Sequence, residues 1–214
     1  MSQLKTKLPT DSWISSTWDE FIEVSNDPIH PKAKFYYYDG HLRLEMTPIG
    51  PDHADDNNIV GTLVNLFGIS KRVAIRGLTN CSYRKSGIRE AQPDISYYIG
   101  DRVSLKPSGS SVVDLDIYPP PDLVIEIAST SLSDDIGSKR LLYEEMSVSE
   151  YWIVDVKQAR IIAFEIISSN GSQRIVQSKV LPGLNLALIE EALKRSRYQD
   201  NSQVGSWFMA ILIN

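Results

Sequence analysis

The chain has 214 residues, 42% hydrophobic, 23% charged and 9% aromatic, so it can bury a core without staples and is neither disordered nor fibrous. A single cysteine, Cys81, excludes an intramolecular disulfide framework and a cysteine-rich zinc or iron–sulfur site. The balance of 22 basic against 27 acidic residues, net −5, argues against a passive nucleic-acid binder, but not against an enzyme whose carboxylates hold a divalent cation.

The first residues lack the apolar run of a secretory signal, and no stretch approaches the roughly 20 apolar residues that span a bilayer. A cytoplasmic location with no membrane partner is expected. Thr17-Trp18-Asp19-Glu20 reads as a capping box opening a helix to about Val24, which Asn26-Asp27-Pro28 ends. Lys34 to Tyr38 and His41 to Met46 are extended runs joined by Asp39-Gly40, a hairpin signal. In the second run Leu42, Leu44 and Met46 alternate with Arg43 and Glu45, which puts Glu45 on the polar face. Pro48 to Pro51 reads as a turn. From His53 to Phe67 the apolar spacing predicts an amphipathic helix, with Asp52, Asp55 and Asp56 at its positive end.

Val73 to Gly77, Cys81 to Arg84 and Asp94 to Ile99 read as strands, and residues 100–121 as a long proline-rich connection. Leu123-Val124-Ile125-Glu126-Ile127-Ala128 has the near-continuous apolar run of a strand buried on both faces. Asp134 to Met146 reads as one helix. Tyr151 to Val156, Arg160 to Ile167 and Arg174 to Lys179 read as strands, the last two joined through residues 168–172. Leu188 to Tyr198 reads as a terminal helix, and the apolar tail Trp207 to Ile213 has no evident place in a sheet core. With no repeat and no clean linker, the expected architecture is one α/β domain over 1–214, a mixed central sheet flanked by helices. An N-terminal helix and hairpin occupy about 17–47 and a C-terminal helical tail about 188–214.

The chemistry starts from Glu126, because a carboxylate inside so apolar a run is costly unless a cation or hydrogen bonds compensate it. Its plainer reading is a carboxylate facing outward from an edge strand or paired with an arginine. Gln92-Pro93-Asp94-Ile95 puts a second carboxylate at the head of an earlier strand. Two carboxylates on neighbouring strands supply the hard oxygens that Mg²⁺ takes, and one of them should then show a raised pKa. Lys139, on the helix after the Glu126 strand, is positioned to return to that strand's end and to act on a metal-bound water or a phosphoryl group. Asp94 alone also suits a turn, and Lys139 alone a solvated helix face.

Pro93-Asp94 followed by the apolar strand bearing Glu126 resembles the PD-(D/E)XK superfamily of restriction-endonuclease-like nucleases. Pro121 to Ser129, then Lys139 with Tyr143, then Glu150-Tyr151-Trp152-Ile153-Val154-Asp155, is similar to the Uma-two family, a bacterial family of restriction-endonuclease-like proteins. The likeness also takes in Glu45-Met46-Thr47-Pro48 with His53, and Leu181-Pro182-Gly183-Leu184, and so covers most of residues 35–190. The resemblance implies a restriction-endonuclease-like core, Mg²⁺ or Mn²⁺ on Asp94 and Glu126, and hydrolysis of DNA phosphodiester bonds. The superfamily lysine belongs two residues after the acid, where this chain has Ala128; in the Uma-two pattern the following helix supplies it, and Lys139 fits that relocation.

Glu45 is the candidate third metal ligand, and His53 a candidate phosphate or water contact. Gln92 could touch the scissile strand. Tyr143 and Trp152 read as core aromatics and Asp155 as a turn residue. Lys139 is expected on the inner face of its helix beside Ile136 and Tyr143, where exchange for Met would leave stability equal or higher. A homodimer is expected from the two cuts that a duplex requires, with the apolar tail buried against the partner. Two alternatives compete: a degenerate nuclease-fold module that binds nucleic acid or protein, and a metal-dependent hydrolase of another substrate.

Overall fold

Two six-stranded sheets pack on one another where the sequence pointed to one. The computed structural model describes residues 8–31, 33–46, 50–167 and 171–213. Part of the expected Pro48–Pro51 turn and most of the expected link at 168–172 therefore lie outside the described residues. The first sheet runs β1 (Trp13–Ser15), β3 (His41–Glu45), β2 (Lys34–Tyr38), β6 (Arg89–Ala91), β5 (Tyr83–Lys85) and β8 (Val113–Asp114). The second runs β12 (Ser172–Ile175), β11 (Arg160–Ile166), β10 (Glu150–Asp155), β9 (Leu123–Ala128), β7 (Ile95–Ile99) and β4 (Ile75–Thr79). Each sheet holds one parallel pair, β5 with β8 and β9 with β10, among antiparallel ones. The fold is mixed α/β.

Local chemistry explains the elements that frame the interior. The capping box of α1 (Trp18–Ser25) forms as expected: Glu20 N–H donates to the Thr17 hydroxyl at 3.3 Å, and Thr17 N–H to the Glu20 carboxylate at 2.8 Å. Asp39 and Gly40 both take positive φ, 47° and 71°, as a two-residue type I′ hairpin turn requires. That turn fixes the register of β2 on β3, with Lys34 opposite Glu45 and Tyr36 opposite Arg43. Phe35, Tyr37, Leu42 and Leu44 pack with Phe21 and Val24 of α1. The other face was expected to be polar, and it is, but it does not meet solvent. Arg43 is 1% exposed, because this face turns toward the second sheet.

Helix α2 (Pro51–Lys71) starts before the expected His53, since Pro51 at its first turn is preset for a helix rather than marking a turn. Asp56 is fully buried and takes both forks of Arg197, at 2.6 and 2.8 Å. The expected single helix at 134–146 is two, α3 (Leu132–Ile136) and α4 (Ser138–Glu145), broken where Gly137 leaves helical geometry (φ −91°, ψ −107°). Helices α5 (Leu186–Ser196) and α6 (Asn201–Ile213) complete the layer over the second sheet. The apolar tail therefore has a place. Val204, Phe208 and Leu212 are buried against α2 and α5, and Lys71 caps the Leu212 carbonyl at 2.7 Å. No helix among the described residues is long and apolar enough to cross a membrane.

Strand β9 sits mid-sheet and is buried on both faces, as its composition required. Leu123, Ile125 and Ile127 enter the core with α2, α5 and α6. Val124 and Ala128 pack toward the first sheet and α4, together with Tyr36, Tyr83 and Tyr143. Glu126 shares their parity and so points between the two sheets.

Candidate active site

The antiparallel register of β7 on β9 pairs Ile95 with Ile125, and one step further it sets Asp94 opposite Glu126. Residues directly opposite in an antiparallel pair share a face, so both carboxylates point toward the first sheet. They line a cavity of about 310 Å³ together with Lys34, Glu45, His53 and Lys139. All five residues singled out from the sequence, Asp94, Glu126, Lys139, His53 and Glu45, thus meet in one cavity. Gln92 takes another course: its side chain donates to the Asn80 carbonyl at 3.1 Å, and its own carbonyl accepts from Tyr36 at 2.8 Å. Trp152 is core, and Asp155 accepts from Arg160 at 2.9 Å at the end of β10.

The two carboxylates have unlike surroundings. Asp94 Oδ2 accepts from the Ile127 N–H at 2.8 Å and lies 3.5 Å from His53 Nε2, while Lys34 pairs with Oδ1. Burial alone would raise the Asp94 pKa; His53 and the Lys34 charge outweigh it and hold the carboxyl well below the usual range. Glu126 Oε1 accepts from Tyr143 at 2.7 Å and Tyr36 at 3.2 Å, with the Lys139 ammonium at 3.6 Å. Burial pushes Glu126 up to about 8; Lys139 opposes the rise and the charges of Asp94 and Asp135 add to it. One carboxyl of the pair is thus raised, as expected, but burial rather than repulsion by its partner is the main cause.

Lys139 occupies the centre of an acidic cage. Its ammonium lies 2.8 Å from Glu45, 3.1 Å from Asp135 and 4.2 Å from the centre of the Tyr36 ring. Burial would lower its pKa, but Glu126, Asp135 and Glu45 together raise it above the usual lysine range. Tyr143 lies on the same inner side, whereas Ile136, expected beside it, is 37% exposed: in α3 it is Asp135 that turns inward to Lys139. Glu45 Oε1 also accepts from Arg43 at 2.8 Å, and Ser131 donates to Asp135 at 2.6 Å. His53 Nδ1 is buried and has no partner among the described residues.

The sequence reading missed Lys34, Tyr36 and Asp135. The hairpin turn carried the signal for the first two, since its register puts Lys34 across from Glu45 on the face that Tyr36 shares. Asp135 carried an i,i+4 relation to Lys139 that only an inward lysine makes informative.

Comparison with known proteins agrees with this fold. A crystal structure of a putative nuclease belonging to DUF820, from Anabaena variabilis ATCC 29413, is similar at a TM-score of 0.54 and 18% identity, covering 90% of this chain and 98% of that one. The fold is restriction-endonuclease-like. The family model Uma2, described as "Putative restriction endonuclease", matches residues 18–197, and the chain belongs to that family. No curated protein matches the chain.

Proposed function

We propose that this chain is a divalent-metal-dependent endodeoxyribonuclease, hydrolysing phosphodiester bonds of DNA in the cytoplasm. The opposition of Asp94 and Glu126 across adjacent strands, inside one cavity, carries the reading. Among the described residues no group of three or more His, Cys, Asp or Glu side chains is placed to hold a metal ion. Two carboxylates suit an ion that keeps waters and takes substrate phosphate oxygens, as Mg²⁺ and Mn²⁺ do. The raised Glu126 pKa fits the same group, since a dication would take the place of that proton. Asp94 and Glu126 are the residues that would hold it. Bound there, the ion would supply an activated water and neutralise charge on the phosphoryl oxygens.

The other residues take supporting parts. Lys139 fixes Glu126 and adds positive charge beside the phosphoryl group. Glu45, whose Oε1 is engaged by Lys139 and Arg43, holds that lysine. His53 steadies Asp94 through Nε2, and its buried Nδ1, without a partner among the described residues, is left for a water. Cutting both strands calls for a two-fold dimer, which would use a surface other than the buried face of α6. One observation favours a degenerate binding module instead: three carboxylates already neutralise Lys139. Purified protein incubated with supercoiled and linear DNA in Mg²⁺ or Mn²⁺ decides between them. Nicking that Glu126→Gln abolishes supports the nuclease, and DNA left intact by wild type supports the module.

A further inference from the structure

Two lysines reach the cavity, and they are held in opposite ways. Lys139 is enclosed, and its three ammonium donors have Glu45, Asp135 and Glu126 around them with the Tyr36 ring alongside. It cannot turn to a new acceptor without giving up an old one. Among the described residues Lys34 pairs with one carboxylate, Asp94. Its side chain is 14% exposed, and it is the first residue of β2, at the open end of the hairpin. Its neighbour across the strands, Glu45, is already taken by Lys139 and Arg43. A flexible four-carbon stem with a single acceptor is free to move once another cation satisfies that acceptor. Until then Lys34 shares with His53 and the Ile127 N–H the compensation of Asp94, whose burial beside Glu126 would otherwise be costly.

We infer that Lys34 is a displaceable counter-cation: it neutralises Asp94 in the metal-free protein, yields that carboxylate to the divalent ion, and then turns its ammonium to the phosphate of the DNA strand. The inference rests on the reading of Asp94 and Glu126 as the ion's ligands, and it gives the cavity a mobile lysine beside a fixed one. It also gives Lys34 a measurable competition with the metal, independent of cleavage.

The test is calorimetric titration of Mn²⁺ into the full chain without DNA, for wild type, Lys34→Met and Lys34→Arg. Removing the competitor should tighten Mn²⁺ binding about tenfold in Lys34→Met, since one buried counter-charge no longer has to leave. Lys34→Arg should weaken it, because a guanidinium grips a carboxylate with two bonds while keeping the same charge. Mere repulsion between a nearby cation and the metal predicts an arginine variant equal to wild type, and that result overturns the inference. Should Lys34→Met fail to fold, the arginine variant still decides. Lysine ammonium NMR adds a second readout: on Mg²⁺ addition the Lys34 signal should shift to a solvated position while Lys139 stays, and a Lys34 signal that does not move overturns the displacement. Wild type that takes up no Mn²⁺ overturns the metal reading as well. Wild type that binds, with variants unchanged, overturns the role of Lys34 alone.

Discussion

Lys139 lies 2.8 Å from Glu45 but 3.6 Å from Glu126, so the buried lysine is held first by the hairpin and only then by the strand that carries the central carboxylate. Exchanging it for Met leaves Glu45, Glu126 and Asp135 facing one another, with Arg43 still on Glu45 but no cation in contact with the other two among the described residues. The expected cost is about 3–5 kcal/mol, the reverse of the equal or higher stability that an inward lysine without partners implies. Urea unfolding in EDTA measures it, and adding Asp135→Asn to the Met variant should recover part of the loss.

Glu126 sets a pH dependence. Its pKa is pushed up to about 8, mainly by burial, so over a range of pH the folded protein keeps a proton that the unfolded chain has released. Metal-free stability therefore falls as pH rises from the ordinary carboxyl range through about 8, by at most about 1.4 kcal/mol per pH unit. Melting temperatures in EDTA should show this decline, and Glu126→Gln should flatten it. Affinity for Mn²⁺ should rise over the same range, because the ion and the proton exclude each other.

Tyr143→Phe isolates one hydrogen bond. The ring keeps its contact with Tyr151, at 4.8 Å between centres, while Glu126 loses the donor at 2.7 Å. A loss of about 1 kcal/mol is expected from chemical denaturation. Carboxyl NMR should find Glu126 titrating still higher, since the phenol favours the ionised form.

Phe208→Ala tests the C-terminal helix. Phe208 is fully buried against the chain's own α2 layer, and truncation should cost about 3–5 kcal/mol. Because the contact lies within one chain, the loss in melting temperature should be the same at all protein concentrations. A loss that vanishes on dilution would instead mean that the tail packs between subunits.

The parts of this molecule that could be read from its sequence are those that local physics decides. Thr17 with Glu20, Asp39 with Gly40, and the apolar run around Glu126 each encode their own conformation, and all three stand as read. Glu126 was the most informative residue because a charge in that run has so few tolerable explanations. The first sheet was not legible as a sheet of its own: its strands β6 and β8 have three and two residues, too short to show alternation, and they exist only because partners pair with them. Gly137 reads as an ordinary weak helix residue until its backbone is seen to leave the helix. The hairpin register puts Lys34 across from Glu45, but nothing local says that this face closes over β7 and β9.

The cavity draws Lys34 and Glu45 from one sheet, Asp94 and Glu126 from the other, and Lys139 from α4. A nascent chain that has emerged as far as Ile99 already carries Lys34, Glu45, His53 and Asp94, yet it has no β9 for β7 to pair with and so no second carboxylate. Products of translation interrupted before β9 lack Glu126 for the same reason. If the folded chain cuts DNA, a copy that stops before β9 cannot, because the paired carboxylates exist only once β7 has β9 beside it.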